Sequence, residues 1–367
     1  MIRVLIAEDS PVIQKTLVSL LSREPGIRVV GVASNGVEAV RLCKELRPDV
    51  VTMDIKMPEM DGLEATRTIM RQCPTRIVII TSLAGDTDLG VSFEALRCGA
   101  VEMIEKPRGV LRGSYNEVQA RLSSRLKKIM ASVPERGEYA RENEGDGTVP
   151  EAPRPARPVA GRGGEPGVSA IIPAGFFPEV IAFGGSTGAP AVLANVLATL
   201  PADFPVPILV VQRIADGFVQ GMASWLSECV EFEVRVAGPA DRARPGQVLF
   251  APDSGHLTVL SGGSIVIRKA SSTEENVPSA DRLFESVAKV YGRRAIGIVL
   301  SGEGRDGAAG LARMRDRGAV TVAQSLSSAV VEGMPSTALE EKAALHGLNP
   351  RAISDLLLQL SSTRSRS

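Results

Sequence analysis

Short segments that are apolar at almost every position recur along this chain, and longer amphipathic segments separate them. Strands of this kind are typical of parallel sheets that helices cover on both faces. The pattern over residues 1–130 therefore predicts a (βα)5 doubly wound α/β domain, with any site at the carboxyl ends of its strands. Its predicted strands are 3–7, 27–33, 49–53, 76–81 and 101–104.

A second block of the same kind follows a change in composition. Residues 131–175 are rich in proline, glycine and charge and have no apolar period, which predicts a flexible linker. Residues 176–350 return to the alternation and predict a second doubly wound domain with a mainly parallel sheet. A β-rich insert interrupts this domain at 231–268, and residues 351–367 are expected to form a C-terminal helix and tail.

The charge balance and composition exclude several classes of partner. Basic and acidic residues number 42 each, aromatic residues make up 4% of the chain, and no basic stripe with interleaved aromatics occurs. Nucleic acid is therefore not an expected partner. No segment reaches the roughly 18 apolar residues of a membrane helix, so membrane insertion is not expected either. The four cysteines show no C-x-x-C spacing, and together these features predict a cytoplasmic protein.

Acidic residues follow two predicted strands of the first domain, at positions that a parallel sheet brings together. Glu8 and Asp9 follow the first strand, and Asp54 follows the third. Carboxylates gathered in this way repel one another unless a cation lies among them, and Mg²⁺ prefers such oxygen ligands. The arrangement predicts Asp54 as a nucleophile towards a phosphoryl donor. Lys106, after the fifth strand, and the Thr81 hydroxyl would bind the transferred oxygens.

Solvated loop carboxylates are the alternative interpretation of this acidic cluster. All of its elements occur in order, however, with Pro58 and Gly62 downstream of Asp54, and residues 1–130 resemble the response-regulator receiver domain. The resemblance implies that Asp54 accepts phosphate from a histidine kinase with Mg²⁺ bound. It also implies that the backbone carbonyl of Lys56 completes the metal site.

Two details near the fifth strand bear on this resemblance. It implies a cis-prone peptide bond between Lys106 and Pro107. Met103, three residues before Lys106, stands where receivers often place a switching aromatic residue. The chain therefore departs from the usual receiver switch at that position, although phosphorylation of Asp54 does not depend on it.

A serine in a glycine-rich turn is the candidate nucleophile of the second domain. Ser186 lies in GGSTG (184–188), between a predicted strand and a helix that begins near Ala189, where backbone N–H groups lack helical partners. Three interpretations of this turn stay open, namely a nucleophile, a phosphate-binding loop and a helix cap. Asp306, in SGEGRDG (301–307), would be the carboxylate of a serine hydrolase triad.

Several long and specific motifs mark the second domain: GGSTG (184–188), RPGQVLFAP (244–252) with His256 after it, PSADRLF (278–284), SGEGRDGAAG (301–310) and VVEGMP (330–335). With them, residues 178–345 resemble the catalytic domain of the chemotaxis methylesterase family CheB, and the order receiver, linker, catalytic domain matches that family along nearly the whole chain. The resemblance implies that Ser186 attacks a glutamyl methyl ester on a chemoreceptor and that Asp306 orients a histidine base. It also implies that the Glu303 backbone N–H lies in the oxyanion hole, and that receptor glutamines are deamidated.

The departures from the family pattern lie around the catalytic groups. Where the family has Gln-His-Met-Pro, this chain has Gln-Arg-Ile-Ala at 212–215, so Arg213 occupies the position of the histidine base. A guanidinium stays protonated and cannot take a proton from a serine. The substitution predicts an ion pair of Arg213 with Asp306 or Glu303, and severely reduced esterase activity. Three other replacements lie nearby: Glu303 for a methionine, Arg305 for an asparagine and Ala189 for a glycine.

The two histidines of the chain are the remaining candidates for a base. His256 is expected to be a structural or cleft histidine, and the alternative is that it swings into the base position. His346 would give the order Ser186, Asp306, His346 of the α/β-hydrolases. It lies in a helical pattern at 338–346, however, and the chain lacks the oxyanion loop of that fold.

Two functions follow from these expectations. In the first, the chain is a phosphorylation-regulated CheB-type methylesterase and deamidase, and phosphorylation of Asp54 moves the receiver domain off the Ser186 cleft. In the second, Arg213 leaves a catalytically impaired adaptor that binds receptor or kinase without hydrolysis. The expected partners are a chemosensory histidine kinase and a methyl-accepting chemoreceptor, and Mg²⁺ is the expected cofactor of the receiver domain.

Overall fold

The computed structural model resolves two compact units, Met1–Asn143 and Glu144–Ser367. Most of the expected linker lies outside the described residues, as does Pro107, so the predicted cis bond before it stays a prediction. The domain boundaries inferred from the sequence are likewise predictions. The residues that the structure describes are 1–81, 86–106, 115–132, 171–173, 175–271, 274 and 276–364.

The first unit is built on a parallel sheet with the strand order β2-β1-β3-β4-β5. Its strands are β1 (Ile2–Ala7), β2 (Ile27–Ala33), β3 (Val50–Met53), β4 (Arg76–Thr81) and β5 (Glu102–Glu105). The helices between and after them are α1 (Pro11–Ser22), α2 (Gly36–Leu46), α3 (Gly62–Gln72), α4 (Asp86–Arg97) and α5 (Tyr115–Ser132).

Apolar strands and capped helices explain why this unit folds as predicted. The central strand β3 is buried at every position, in keeping with a sequence that is apolar except at Thr52. The Asn35 and Asp61 side chains cap α2 and α3 by accepting hydrogen bonds from the backbone N–H groups of Glu38 and Glu64. Strand β2 pairs with one edge of β1, and β3 pairs with the other edge. This reversal of strand order leaves a crevice at the carboxyl ends of β1 and β3. The predicted doubly wound (βα)5 fold is confirmed.

The second unit has a larger parallel sheet with the order β14-β13-β12-β6-β7-β9-β8, and a separate antiparallel hairpin, β10-β11. Its strands are β6 (Val180–Gly185), β7 (Ile208–Gln212), β8 (Glu233–Val236), β9 (Gln247–Phe250), β10 (Gly255–Val259), β11 (Ile265–Lys269), β12 (Ala295–Val299), β13 (Val320–Gln324) and β14 (His346–Leu348). Its helices are α6 (Ala189–Leu197), α7 (Phe218–Cys229), α8 (Ala280–Tyr291), α9 (Ala308–Asp316), α10 (Gly333–Glu340) and α11 (Pro350–Arg364).

Strand order again fixes where a site can form in this unit. Strands β6, β7, β12 and β13 are buried at every position, and α8 packs its apolar side against them through residues such as Phe284. From β6 the chain proceeds to β7 on one side, and it later places β12 on the other. The resulting crevice lies at the carboxyl ends of β6 and β12. The predicted mainly parallel, doubly wound sheet is confirmed.

The helical pattern predicted around His346 is wrong. Helix α10 ends at Glu340, Lys342 has a left-handed backbone with φ 55°, and His346 begins β14 in parallel register with Val322. Pairing at the sheet edge overrides the helix-forming sequence. Strand β14 lies three strand spacings from β6, about 14 Å at the usual spacing of a sheet, and His346 is at its amino end. His346 is therefore far from Ser186.

Candidate functional sites

The crevice between β1 and β3 gathers the acidic residues that the sequence predicted. One carboxylate oxygen from each of Glu8, Asp9 and Asp54 lies within 4.8 Å of the others. Glu8 and Asp54 are buried, and Asp9 is exposed. The Lys106 Nζ lies 2.7 Å from Asp54 Oδ2 and 3.0 Å from Glu8 Oε2. Four groups from three strand ends therefore meet at one point.

The charges in this crevice are only partly balanced. Burial raises the pKa of Glu8 and of Asp54, and their mutual repulsion raises that of Glu8 further. Burial alone lowers the pKa of Lys106, but hydrogen bonds and attraction to Asp54 and Glu8 outweigh it and raise the value. The buried Glu8 Oε2 accepts no hydrogen bond despite the nearby ammonium. Three carboxylates with one such oxygen fit a divalent cation with oxygen ligands.

The loop after β3 needs glycine where it meets α3. A Cβ atom at Gly62 would lie 2.0 Å from the Asp54 carbonyl oxygen, and the Gly62 N–H donates to the Ile55 carbonyl at 2.8 Å. This contact holds the loop beside the phosphoacceptor candidate. Lys56 and Asp9 line an open groove of about 520 Å³ here. The metal-ligand role of the Lys56 carbonyl stays a prediction.

The other two receiver positions lie at the ends of β4 and β5. Thr81 is buried at the end of β4, beside Glu105 in the parallel register. Its carbonyl accepts the Lys106 N–H at 2.7 Å, which continues the pairing one residue beyond β5. The same backbone contact that positions Lys106 also places Thr81 at the crevice, although their roles in phosphoryl binding stay predictions.

The second crevice contains Ser186 at the end of β6. Its backbone N–H donates to the Ser301 carbonyl at 3.0 Å, and the Gln212 Nε2 donates to the Ser186 carbonyl at 2.8 Å. The residue is buried, yet among the described residues its hydroxyl makes no hydrogen bond. Gly188, with φ 81°, occupies the cap position of α6, and no side chain caps that helix. Interpretation of Ser186 as a helix cap is therefore wrong.

The loop after β12 packs directly on this serine. A Cβ atom at Gly302 would lie 2.9 Å from the Ser186 Cβ and 2.3 Å from the Met334 Sδ. The Gly302 carbonyl accepts the Met334 N–H at 2.8 Å, which fastens the loop to α10. Gly302 thus permits a close approach that brings residues 302–304 against the Ser186 backbone.

Asp306, at the end of that loop, is held by the N-terminus of α8. Its Oδ1 accepts from the Ser279 Oγ at 2.7 Å and from the Asp281 N–H at 3.1 Å, and its Oδ2 accepts from the Ala280 N–H at 2.9 Å. Helix N-termini stabilise negative charge in this way. The sequence reasoning missed Ser279, although its place before a helix in PSADRLF is a capping signal.

Arg213 follows β7 and lies beside the same loop. Its N–H donates to the Gly185 carbonyl at 2.9 Å. Its Nη2 donates to the Glu303 carbonyl at 2.6 Å, and its Nη1 donates to the Asn276 Oδ1. The predicted ion pair with Asp306 or with the Glu303 carboxylate is wrong, because α8 already supplies the donors to Asp306 and the guanidinium meets only the main chain of Glu303.

His256 is engaged elsewhere. Its Nδ1 accepts from the Ser279 N–H at 3.2 Å, so the proton resides on Nε2, which lies 3.3 Å from the Glu274 Oε2. His256 and Glu274 line a cavity of about 890 Å³ between the β10-β11 hairpin and α8, and Ser186 is not among its lining residues. Among the described residues, no imidazole nitrogen is hydrogen-bonded to the Ser186 hydroxyl.

Comparisons with known proteins match both units. The response regulator receiver domain family matches residues 4–112, and the CheB methylesterase family matches residues 181–357. A protein-glutamate methylesterase/protein-glutamine glutaminase 1 of Syntrophus aciditrophicus is 40% identical, with 98% of each chain covered. The chain belongs to the CheB family.

A second curated relative agrees with this assignment, and a solved structure is also similar to the second unit. A protein-glutamate methylesterase/protein-glutamine glutaminase 3 of Anaeromyxobacter dehalogenans is 42% identical over 97% of this chain and 98% of its own. The crystal structure of the Thermotoga maritima CheB methylesterase catalytic domain is 31% identical, covers 50% of this chain and 98% of its own, and has a TM-score of 0.48.

The two resemblances drawn from sequence motifs are therefore confirmed. This CheB-type chain is a response regulator with a methylesterase domain, and its relatives are named protein-glutamate methylesterase/protein-glutamine glutaminase. In the part of the chain that the structure describes, no helix combines the length and apolar character needed to cross a bilayer.

Proposed function

We propose that this CheB-type protein is a phosphorylation-regulated response regulator of a cytoplasmic chemosensory two-component system. A histidine kinase would be the phosphodonor. An Asp54 carboxylate oxygen attacks the phosphorus of the kinase phosphohistidine, the P–N bond breaks, and the imidazole leaves with a proton. The carboxylates of Glu8 and Asp9 beside Asp54 support this assignment, because they supply the oxygen ligands that phosphoryl transfer to a carboxylate requires.

The receiver crevice would hold Mg²⁺ through Glu8, Asp9, Asp54 and the Lys56 carbonyl. When bound, the cation neutralises charge on the carboxylates and on the phosphoryl oxygens. Lys106, already 2.7 Å from Asp54, would bind a phosphoryl oxygen after transfer, and the Thr81 hydroxyl would donate to another.

For the second crevice we propose a chemoreceptor glutamyl side chain as the ligand. In a complete methylesterase, the serine oxygen attacks the ester carbonyl while a base takes its proton, methanol leaves, and water releases the glutamate. Ser186 and the backbone N–H of Glu303 would be the nucleophile and an oxyanion donor. Asp306 would orient the base, and α8 holds its carboxylate for that purpose whether or not a base is present.

The observation that carries the functional conclusion is the Ser186 hydroxyl without a base. Arg213 occupies the position of the histidine, and its guanidinium is tied to the Glu303 carbonyl and to Asn276. A permanently protonated group cannot accept the serine proton. Loss of a triad member leaves only about 10³–10⁴-fold acceleration over water, from the oxyanion hole and binding. We infer that ester hydrolysis, and deamidation with it, is severely reduced.

The second candidate function follows from the same contacts. A protein that binds receptor or kinase under control of Asp54 phosphorylation needs the fold and the crevice but no proton relay. The fixed position of Arg213 favours this adaptor over a fully active methylesterase, since no rotation of the guanidinium creates a base.

Methanol release from a methylated chemoreceptor fragment tests this conclusion. The full-length chain is assayed with Mg²⁺, with and without a small phosphoryl donor, and Ser186→Ala sets the background. We expect phosphorylated protein to release methanol at a rate close to that background. Turnover like that of a histidine-containing CheB relative, abolished by Ser186→Ala, would show that this chain is an efficient methylesterase and would overturn the adaptor.

A further inference from the structure

The Arg213 guanidinium is a half-buried cation without a counter-ion in the described part of the chain. Both of its hydrogen-bond acceptors, the Asn276 amide oxygen and the Glu303 carbonyl, are neutral. Its Nε is buried and donates to no acceptor. A buried charge that lacks a partner is costly, and an anion that reaches it relieves this cost.

Arg213 and Ser186 follow neighbouring strands and approach the same loop. The register pairs Gly185 with Gln212, so Arg213 and Ser186 leave adjacent strands at the same level of the sheet. A Cβ atom at Gly304 would be 3.8 Å from the Arg213 Nη2. Two residues earlier, Gly302 is in contact with the Ser186 Cβ position. The short loop 302–304 therefore approaches the Arg213 guanidinium at one end and the Ser186 Cβ and backbone N at the other.

The donors that remain on Arg213 match one ligand chemistry. A guanidinium has five N–H groups in a planar fork, and two of them are used here. Since Nε is buried, the N–H groups left on Nη1 and Nη2 form the fork that suits a carboxylate, which accepts two parallel charge-assisted hydrogen bonds. A methyl ester or a primary amide carries no charge and gains less from the same donors.

Asp306 does not prevent an anion from entering this crevice. Its carboxylate accepts three hydrogen bonds, two of them from backbone N–H groups at the start of α8. The α8 terminus thus compensates much of the negative charge that would otherwise repel a ligand carboxylate.

We propose that the Ser186 crevice binds the free carboxylate of a receptor glutamyl side chain in preference to its methyl ester or amide. The protein would then bind preferentially to the demethylated receptor, which is the product of the reaction for which its relatives are named. The inference rests on the proposed function for the receptor as partner, and it adds the chemical form that is recognised.

Calorimetric titration of one receptor fragment in three forms tests the preference. Soluble chemoreceptor cytoplasmic fragments carry glutamate, glutamine or glutamate methyl ester at the adaptation sites. The full-length chain carries Ser186→Ala, so that the ester survives the measurement. We expect the glutamate form to bind about tenfold more tightly than the other two, as one gained charge-assisted hydrogen bond implies.

Arg213→Gln in the same background should abolish the preference, because the amide keeps donors but loses the charge. Arg293→Gln is the matched control, since Arg293 is an exposed arginine at the amino end of β12 and should leave the ratio unchanged. If the Arg213 variant does not fold, the ratio for the Ser186→Ala chain is measured at rising salt. A charge-carried preference should weaken between roughly 0.05 and 0.5 M salt.

Equal affinities for the three forms would overturn the inference, and so would a preference that persists in Arg213→Gln or is insensitive to salt. The proposed function fails on a different measurement. Efficient methanol release would remove the claim of impaired hydrolysis but would leave the affinity ratio unchanged. Absence of binding to every receptor form would overturn both the ligand and the partner.

Discussion

The two units of this chain place their crevices by the same rule but equip them differently. In each, the sheet order reverses beside the first strand of the unit, and side chains at the carboxyl ends of neighbouring strands meet there. The receiver crevice gathers carboxylate oxygens of Glu8, Asp9 and Asp54 within 4.8 Å of one another, and Lys106 pairs with Glu8 and Asp54. The Ser186 crevice has a buried serine and an anchored carboxylate, and in the proposed function Arg213 stands where proton transfer needs a base. Fold resemblance thus supports a location, whereas chemistry depends on individual side chains.

The largest effect is expected from Asp54→Asn in the receiver crevice. The variant should show no detectable phosphoryl incorporation from a radiolabelled small phosphoryl donor, because the amide is not a nucleophile for phosphorus. Glu45→Gln, an exposed change on α2, is the control and should label normally. Labelling of Asp54→Asn at the wild-type level would place the phosphoacceptor elsewhere and remove the contrast between the two crevices.

Arg213→His should raise the rate of ester hydrolysis in the Ser186 crevice by about 10²-fold or more, the usual contribution of a general base. Initial rates of methanol release from a methylated receptor fragment measure this. Arg213→Gln removes the charge without adding a base and should remain at the wild-type rate. An unchanged rate in Arg213→His would mean that the missing base does not limit this crevice, and that Glu303, Arg305 or Ala189 does.

Gly62→Ala should destabilise the receiver unit by at least about 2 kcal/mol, since its Cβ would meet the Asp54 carbonyl oxygen at 2.0 Å. Urea unfolding of the full chain, followed by far-ultraviolet circular dichroism, measures the shift. Gly90→Ala is the control: a Cβ there meets nothing within 4 Å, and the change should be neutral or stabilising in α4. Equal stability of Gly62→Ala and wild type would contradict the close approach.

Gly302→Ala should have a smaller effect, about 1–2 kcal/mol, on the second unit. The nearest atom to its Cβ is the Met334 Sδ at 2.3 Å, the end of a flexible side chain that can move. Trp225, the single tryptophan of the chain, is buried in α7 and reports on this unit by fluorescence. The Gly62→Ala variant should leave this tryptophan transition in place, and a shift there would mean that the two units do not unfold separately.

Much of the fold, and the gathering of the three carboxylates in the receiver crevice, could be predicted from the sequence. Buried strands of a parallel sheet can be recognised by their apolar composition. The parallel topology then brings residues at the strand ends, such as Glu8 and Asp54, together whatever the conformation of the loops. The strand that begins at His346 was not predicted, because its sequence pattern favours a helix and the extended conformation comes with pairing to β13.

The surroundings of Arg213 could not be predicted in the same way. Its contacts are a main-chain carbonyl of Glu303 and the amide of Asn276, 63 positions away in the sequence. Side-chain chemistry alone suggested a carboxylate partner, since Arg and Asp pair readily. The capping signal at Ser279 marks a helix terminus, but only tertiary packing places that terminus against Asp306.

The way α8 holds Asp306 has a consequence for protein engineering. Two backbone N–H groups and the Ser279 hydroxyl keep that carboxylate buried and in place, and none of them comes from the position that Arg213 occupies. A substitution at position 213 therefore removes none of the hydrogen bonds that hold Asp306. A designer can therefore place a proton acceptor, a neutral hydrogen-bond donor or a cation at position 213 while Asp306 and Ser186 keep their own contacts.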